Sequence, residues 1–120
     1  MIVIAARRAV VIHTPKDHFT MAQAKILIAD DDTLVREAVY KILTMFGHSV
    51  VPCASGEDAL AALNGDFDLI ILDINMPGLD GFETLKFINE RNYGIPVIFL
   101  TGAGSMEYAV KAINLGAYDF

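Results

Sequence analysis

At 120 residues the chain is long enough for one domain around one core. Its residues are 54% apolar, yet no run approaches the roughly 18 apolar residues that a bilayer-spanning helix needs, so a transmembrane segment is not expected. The net charge of −6 argues against nonspecific binding to nucleic acid or anionic lipid, and a single cysteine, Cys53, excludes an internal disulfide and fits a reducing compartment.

Residues 1–24 stand apart from the rest. Arg7, Arg8 and Lys16 against Asp17 leave this stretch at +2, whereas residues 25–120 carry −8. A secretory signal places charge before its apolar run. Here the apolar residues come first, and the run behind Arg7-Arg8 is only Ala9-Val-Val-Ile12, too short for a twin-arginine signal as well. Val10-Val11-Ile12 is a short strand candidate, and Met21 would serve as a start for the domain behind it. Residues 1–24 are read as an N-terminal extension of unknown role, and residues 25–120 as the domain.

Lys25-Ile-Leu-Ile-Ala29 predicts a first domain strand that runs straight into Asp30-Asp31-Asp32. A helix comes next, with Leu34, Val35, Ala38, Val39, Ile42, Leu43 and Phe46 repeating at three and four and Gly47 as its stop. Asp32 or Thr33 is placed to cap it. Ser49-Val-Val-Pro52-Cys53 is a second strand, and Pro52, which lacks a backbone donor, assigns it to an edge. Ser55 caps a second helix, with an acid three residues on, and that helix runs to Asn64-Gly65.

A third strand spans Asp68 to Asp73, apolar until its last residue, as in a strand buried on both faces. Gly81 to about Asn89 is a third helix with Phe82, Leu85 and Ile88 on one side, and Asp80 is placed near its start. Pro96-Val-Ile-Phe-Leu100 is a fourth strand ending on Thr101-Gly102. Ser105 to about Asn114 is a fourth helix stopped by Gly116, and Ala117 to Phe120 begins a fifth strand. Strands alternating with helices give βα units and a parallel sheet. With strand two at the edge, the pattern fits the doubly wound order 2-1-3-4-5.

In that order strands one, three and four are neighbours, and ligands of open parallel sheets bind at the carboxyl ends of strands. Those ends carry Asp30-Asp31, Asp73 and Thr101. Three adjacent carboxylates repel one another and cannot all stay ionised cheaply without a cation. Oxygen ligands alone suit Mg²⁺, which keeps part of its water shell. No histidine or thiolate has metal-ligand spacing here, and His13, His18 and His48 are read as solvent-facing or loop residues. A hydroxyl at Thr101 beside a carboxylate nucleophile and a cation describes a site for a phosphoryl group. Asp73, ending the central strand, is the best nucleophile, while Asp32 and Asp80 read as helix caps.

These residues resemble the receiver domain of two-component response regulators. The resemblance rests on Ile26-Leu-Ile-Ala-Asp30-Asp31-Asp32, on Leu69-Ile-Ile-Leu-Asp73-Ile-Asn75-Met-Pro77-Gly-Leu-Asp80-Gly81, on Pro96-Val-Ile-Phe-Leu-Thr101-Gly102 and on Ala112-Ile-Asn-Leu-Gly116-Ala117, all in family order. It implies a flavodoxin-like α/β fold. It also implies Asp73 as phosphoacceptor, Asp31 as a direct Mg²⁺ ligand, Asp30 as one through water, and a metal bond from the Asn75 backbone carbonyl. Thr101 would be the switch hydroxyl and Phe120 the aromatic that repacks on activation. The donor would be a phosphohistidine on a sensor histidine kinase or phosphotransfer protein, in the cytoplasm. Such a domain turns over no separate substrate; it catalyses only its own phosphorylation and dephosphorylation. The modification would shift the domain between two conformations.

The family continues after this phenylalanine with a Lys-Pro pair and a fifth helix, so the expectation is a truncated fifth strand and an absent fifth helix. The burial of one amphipathic helix is on the order of 5–10 kcal/mol, so something must compensate. Residues 1–20 are expected to do so. Ala9-Val-Val-Ile12 would add a strand beside strand four or pair with a second copy in a homodimer through the uncovered sheet face, and Lys16 would stand near the acids. A degenerate receiver, working as a phosphorylation-independent interaction module, is the alternative reading. A magnesium-dependent phosphatase is disfavoured because Asn75 stands where such enzymes carry a second acid. No basic recognition helix for DNA is present.

Overall fold

The computed structural model describes residues 2–6, 23–101 and 117–119, with side chains for 23–100. Its elements in chain order are β1 (Ile2–Ala6), β2 (Lys25–Ala29), α1 (Thr33–Met45), β3 (Ser49–Cys53), α2 (Gly56–Ala62), β4 (Leu69–Asp73), α3 (Gly81–Glu90), β5 (Val97–Thr101) and β6 (Ala117–Asp119). The sheet order is β3-β2-β4-β5-β1-β6. The four strands β3, β2, β4 and β5 are parallel neighbours, in the doubly wound arrangement that the sequence pattern predicts.

Alternation along these strands builds two cores. Leu27, Ala29, Ile70, Leu72, Val97 and Phe99 face α2 and α3, where they meet Ala59, Leu63, Phe82, Leu85 and Ile88. The Phe82 and Phe99 rings lie 5.2 Å apart, tilted by 56°. Ile26, Ile28, Leu69 and Ile71 face the other way, toward Leu43 and Val39 of α1, with the half-buried Ile98 and Leu100 beside them. Strands covered on both sides have no polar face, which is why they read as unbroken apolar runs.

The fifth position of the sheet departs from the expected order. Beside β5 lies β1, antiparallel, with Ile2 opposite Thr101 and Ala5 opposite Ile98. The late segment β6 pairs with the outer side of β1 across a bulge instead of with β5. An N-terminal strand beside strand four is the expected compensation, but Ile2-Val-Ile4 supplies it in place of Ala9–Ile12. Two β-branched types in a row favour extended backbone, and the open edge of β5 offers unpaired backbone groups to satisfy. Residues 9–12, Lys16 and the expected fourth helix, residues 105–114, lie outside the described residues.

Helix α1 also corrects the periodic reading. Its apolar stripe is wider than one face can bury. Val35, Val39 and Leu43 turn toward the sheet, whereas Leu34 is 78% exposed and Ile42 52%. His48 is a loop residue, as expected, but a buried one: its Nδ1 accepts from the Ala24 N–H at 3.1 Å. Pro52 sits in β3, at the sheet edge to which its missing donor assigns it.

Candidate metal centre

The site lies at the carboxyl ends of β2 and β4. These strands pair Ala29 with Leu72, so the next residues along each, Asp30 and Asp73, emerge side by side. One carboxylate oxygen from each of Asp30, Asp31 and Asp73 lies within 4.8 Å of the other two. Asp30 is buried, Asp73 half-buried and Asp31 exposed, so the cluster opens outward through Asp31.

Local hydrogen bonds fix the two inner carboxylates. The Asp32 N–H donates to Asp30 Oδ1 at 2.9 Å, and the Asn75 N–H donates to Asp73 Oδ1 at 3.4 Å. Burial is the main cause that raises the Asp30 carboxyl above its ordinary value, with the Asp31 and Asp32 charges adding to it against the Asp32 N–H. Burial likewise pushes Asp73 up to about 7, helped by the negative charge of Asp30 and opposed by the Asn75 N–H. The protein thus holds together carboxylates that resist being ionised together, an arrangement that a cation relieves.

The donor set fits a hard cation. It consists of oxygens only, which suit Mg²⁺, Ca²⁺ or Mn²⁺ over softer metals. Cys53 lies next to Asp30 in the sheet, its carbonyl accepting the Asp30 N–H at 3.1 Å. Burial raises its thiol further, so it stays protonated at neutral pH and offers no thiolate.

Of the other residues that the sequence marks, Thr101 ends β5 one position beyond Leu100, the register partner of Asp73. This puts its backbone at the adjacent strand end; its side chain lies outside the described residues. Phe120 lies outside them altogether. Asp32 caps α1, accepting from Leu34 and Val35, and Asp80 caps α3 in a reciprocal capping box with Glu83.

Three further residues frame the site: Gly81, which closes the loop motif, and Arg36 and Glu57, which motif reading does not single out. Arg36, one turn into α1, donates from Nη1 to the Asp30 carbonyl at 2.7 Å and so holds the acidic turn from behind. Gly81 permits α3 to start against the end of β4: a Cβ there would collide with the Asp73 carbonyl oxygen and stand 2.8 Å from Ile74 Cα. Its N–H closes the loop by donating to the Ile74 carbonyl at 2.8 Å. Glu57 of α2 reaches the same loop, its Oε1 accepting from the Leu79 N–H at 3.3 Å. Gly81 is legible as the end of the loop motif; Glu57 carries no local signal, because its partner is 22 residues away.

Comparison with known proteins matches residues 26–120 to the family model described as response regulator receiver domain. The response regulator protein FleR of Pseudomonas aeruginosa is 41% identical over 98 residues, which cover 81% of this chain and 21% of FleR. The transcriptional regulatory protein CusR of Escherichia coli K12 is 37% identical over 97 residues, covering 80% of this chain and 43% of CusR. The chain therefore spans less than half the length of these curated relatives. Among solved structures, chemotaxis protein CheY4 of Vibrio cholerae superposes with a TM-score of 0.75 at 36% identity, over 80% of this chain and 82% of that one.

Proposed function

Because the chain belongs to the response regulator receiver domain family, we propose that it accepts a phosphoryl group on Asp73 with Mg²⁺ held beside it. The observation that carries this reading is the convergence of Asp30, Asp31 and Asp73 within 4.8 Å at the ends of two parallel strands. Asp31, Asp73 and the Asn75 carbonyl would hold the cation, and Asp30 would reach it through water. A bound Mg²⁺ offsets the charge of the carboxylates and of the incoming phosphoryl oxygens.

The chain's own residues do the rest. The β2–β4 ladder fixes Asp73 against Asp30, and the Asn75 N–H engages Oδ1, leaving the second carboxylate oxygen to attack phosphorus. A phosphorus–nitrogen bond of the donor phosphohistidine breaks as the acyl phosphate forms, and the freed imidazole nitrogen leaves with the electron pair. Thr101, at the neighbouring strand end, is the hydroxyl that would answer the new phosphoryl oxygens. The donor is a sensor histidine kinase or a phosphotransfer protein. The domain works in the cytoplasm and turns over no substrate other than its own aspartyl phosphate.

Acetyl phosphate and Mg²⁺ test this directly. Intact-mass analysis is expected to show one added phosphoryl group, mapped to Asp73, abolished by chelation and absent in Asp73→Asn. Equal labelling of wild type and Asp73→Asn refutes the assignment.

A further inference from the structure

The loop between Asp73 and α3 carries the Asn75 carbonyl, and this inference rests on the metal site proposed above. The loop is closed at its base, where the Gly81 N–H meets the Ile74 carbonyl. Its far bend, at Gly78-Leu79, is held from another element. Glu57 Oε1 accepts the Leu79 N–H at 3.3 Å, and a Cβ on Gly78 would stand 2.6 Å from Glu57 Oε2. The carboxylate therefore straddles the bend, one oxygen on an amide and the other against the bare Cα of a residue with φ of +75°. Only glycine adopts that backbone freely and leaves that space.

The carboxylate is exposed, yet its aim is fixed. The residue before it, Gly56, is pressed into the loop and α3. A Cβ on Gly56 would collide with Thr84 Oγ1 and stand 3.1 Å from the Leu79 carbonyl oxygen. Thr84 is fully buried, and its hydroxyl donates to the Asp80 carbonyl at 2.7 Å. The start of α2 is thus seated backbone-to-backbone on the bend, with Ser55 Oγ capping it by accepting from the Asp58 N–H at 3.0 Å. A side chain projecting from so fixed a base loses little freedom when it takes the Leu79 amide.

We propose that Glu57 is a positioning residue for the cation site: its carboxylate pins the Gly78-Leu79 bend and thereby sets the Asn75 carbonyl for the metal. It acts by reach and not by charge. Residues that orient ligands in this way typically change metal affinity by about 10–100-fold.

Calorimetric titration of the unphosphorylated full chain with Mg²⁺ separates the possibilities, using Glu57→Gln, Glu57→Asp and Glu57→Ala with folding checked by circular dichroism. Gln keeps an oxygen at the same reach without charge and is expected to bind Mg²⁺ within about twofold of wild type. Asp keeps the charge one methylene short, and both Asp and Ala are expected to raise the dissociation constant by about tenfold or more, the lower end for such residues. With acetyl phosphate the loss is expected as a higher Mg²⁺ requirement, with the rate at saturating Mg²⁺ retained. The opposite ranking, with Asp near wild type and Gln as weak as Ala, overturns the inference in favour of a simple charge effect. Equal affinity in all folded variants overturns it outright. Absence of Mg²⁺ binding by wild type refutes the site itself, a result distinct from either.

Discussion

Replacing Asp73 by Asn is expected to stabilise the metal-free protein, the reverse of the usual effect of removing a charged side chain from a binding partner. Asp73 is ionised with difficulty because burial and Asp30 both oppose its charge, which moves its pKa from 3.8 to about 7. At about 1.36 kcal/mol per pH unit this corresponds to about 4 kcal/mol, and water reaching the half-buried carboxyl reduces it to about 2 kcal/mol. The sign comes from proton linkage. Between pH 4 and 7 the folded state binds the proton that the unfolded state has released, so stability falls as pH rises through this window and is level above it. Asn mimics the protonated acid and keeps an oxygen for the Asn75 N–H. At pH 8 without metal, Asp73→Asn is therefore expected to be more stable by about 2 kcal/mol, or roughly 10 °C in melting temperature for a domain of this size. At pH 4 the difference is expected to vanish. Saturating Mg²⁺ at pH 8 is expected to erase it too, by stabilising wild type alone. Urea or thermal unfolding followed by circular dichroism measures all three. A variant no more stable than wild type at pH 8, or a gain that is the same at pH 4, refutes the claim that burial and Asp30 together oppose the charge of Asp73.

Mg²⁺ affinity is expected to fall as the pH falls, by up to about tenfold per unit below pH 7, because the cation must displace the proton held on Asp73; calorimetry at pH 6, 7 and 8 checks this. Gly81→Ala places a Cβ 2.8 Å from Ile74 Cα and 3.1 Å from Asp73 C, backbone atoms that cannot rotate away. A loss of about 2–3 kcal/mol in urea unfolding is expected, together with weaker Mg²⁺ binding. Deleting residues 1–20 uncovers the edge of β5 that β1 pairs, and a large drop in melting temperature or aggregation in light scattering is expected. An unchanged, monomeric deletion variant refutes a role for β1.

Much of the parallel sheet is legible in the sequence because burial on both faces leaves a distinctive mark. Ile26–Ala29 and Leu69–Leu72 are apolar without interruption, and each gives way to a carboxylate at the strand end. The acids are legible because Asp30 and Asp73 break those runs, and a carboxylate in an apolar stretch marks a site that the fold must compensate: Asp30 is buried and Asp73 half-buried. Helix starts are legible from Asp32, Ser55 and Asp80, whose short side chains bond the first free amides. The pairing partner of β5 is not, because Ile2–Ala6 and Ala9–Ile12 are both short apolar runs and nothing local ranks one above the other. Glu57 belongs to the same class. Its role depends on a loop that the fold, and not the chain, brings to it. Leu34 and Ile42 show the converse limit, since periodicity marks a helix but not which part of a broad stripe the sheet will cover.

Pro52 has a consequence beyond marking the sheet edge. The Ser49 N–H donates to Ala24 and the Cys53 carbonyl accepts from Asp30, so the odd residues of β3 aim their backbone at β2. Val50 and Pro52 therefore face outward, and of the two only Val50 has an amide hydrogen to give. An extended segment of another molecule arriving at this side would find a donor at only one of the two outward positions of β3. The residue that ends the sheet thus also keeps it from being lengthened, so crowding many such domains together does not invite them to zip into a continuous ribbon through β3.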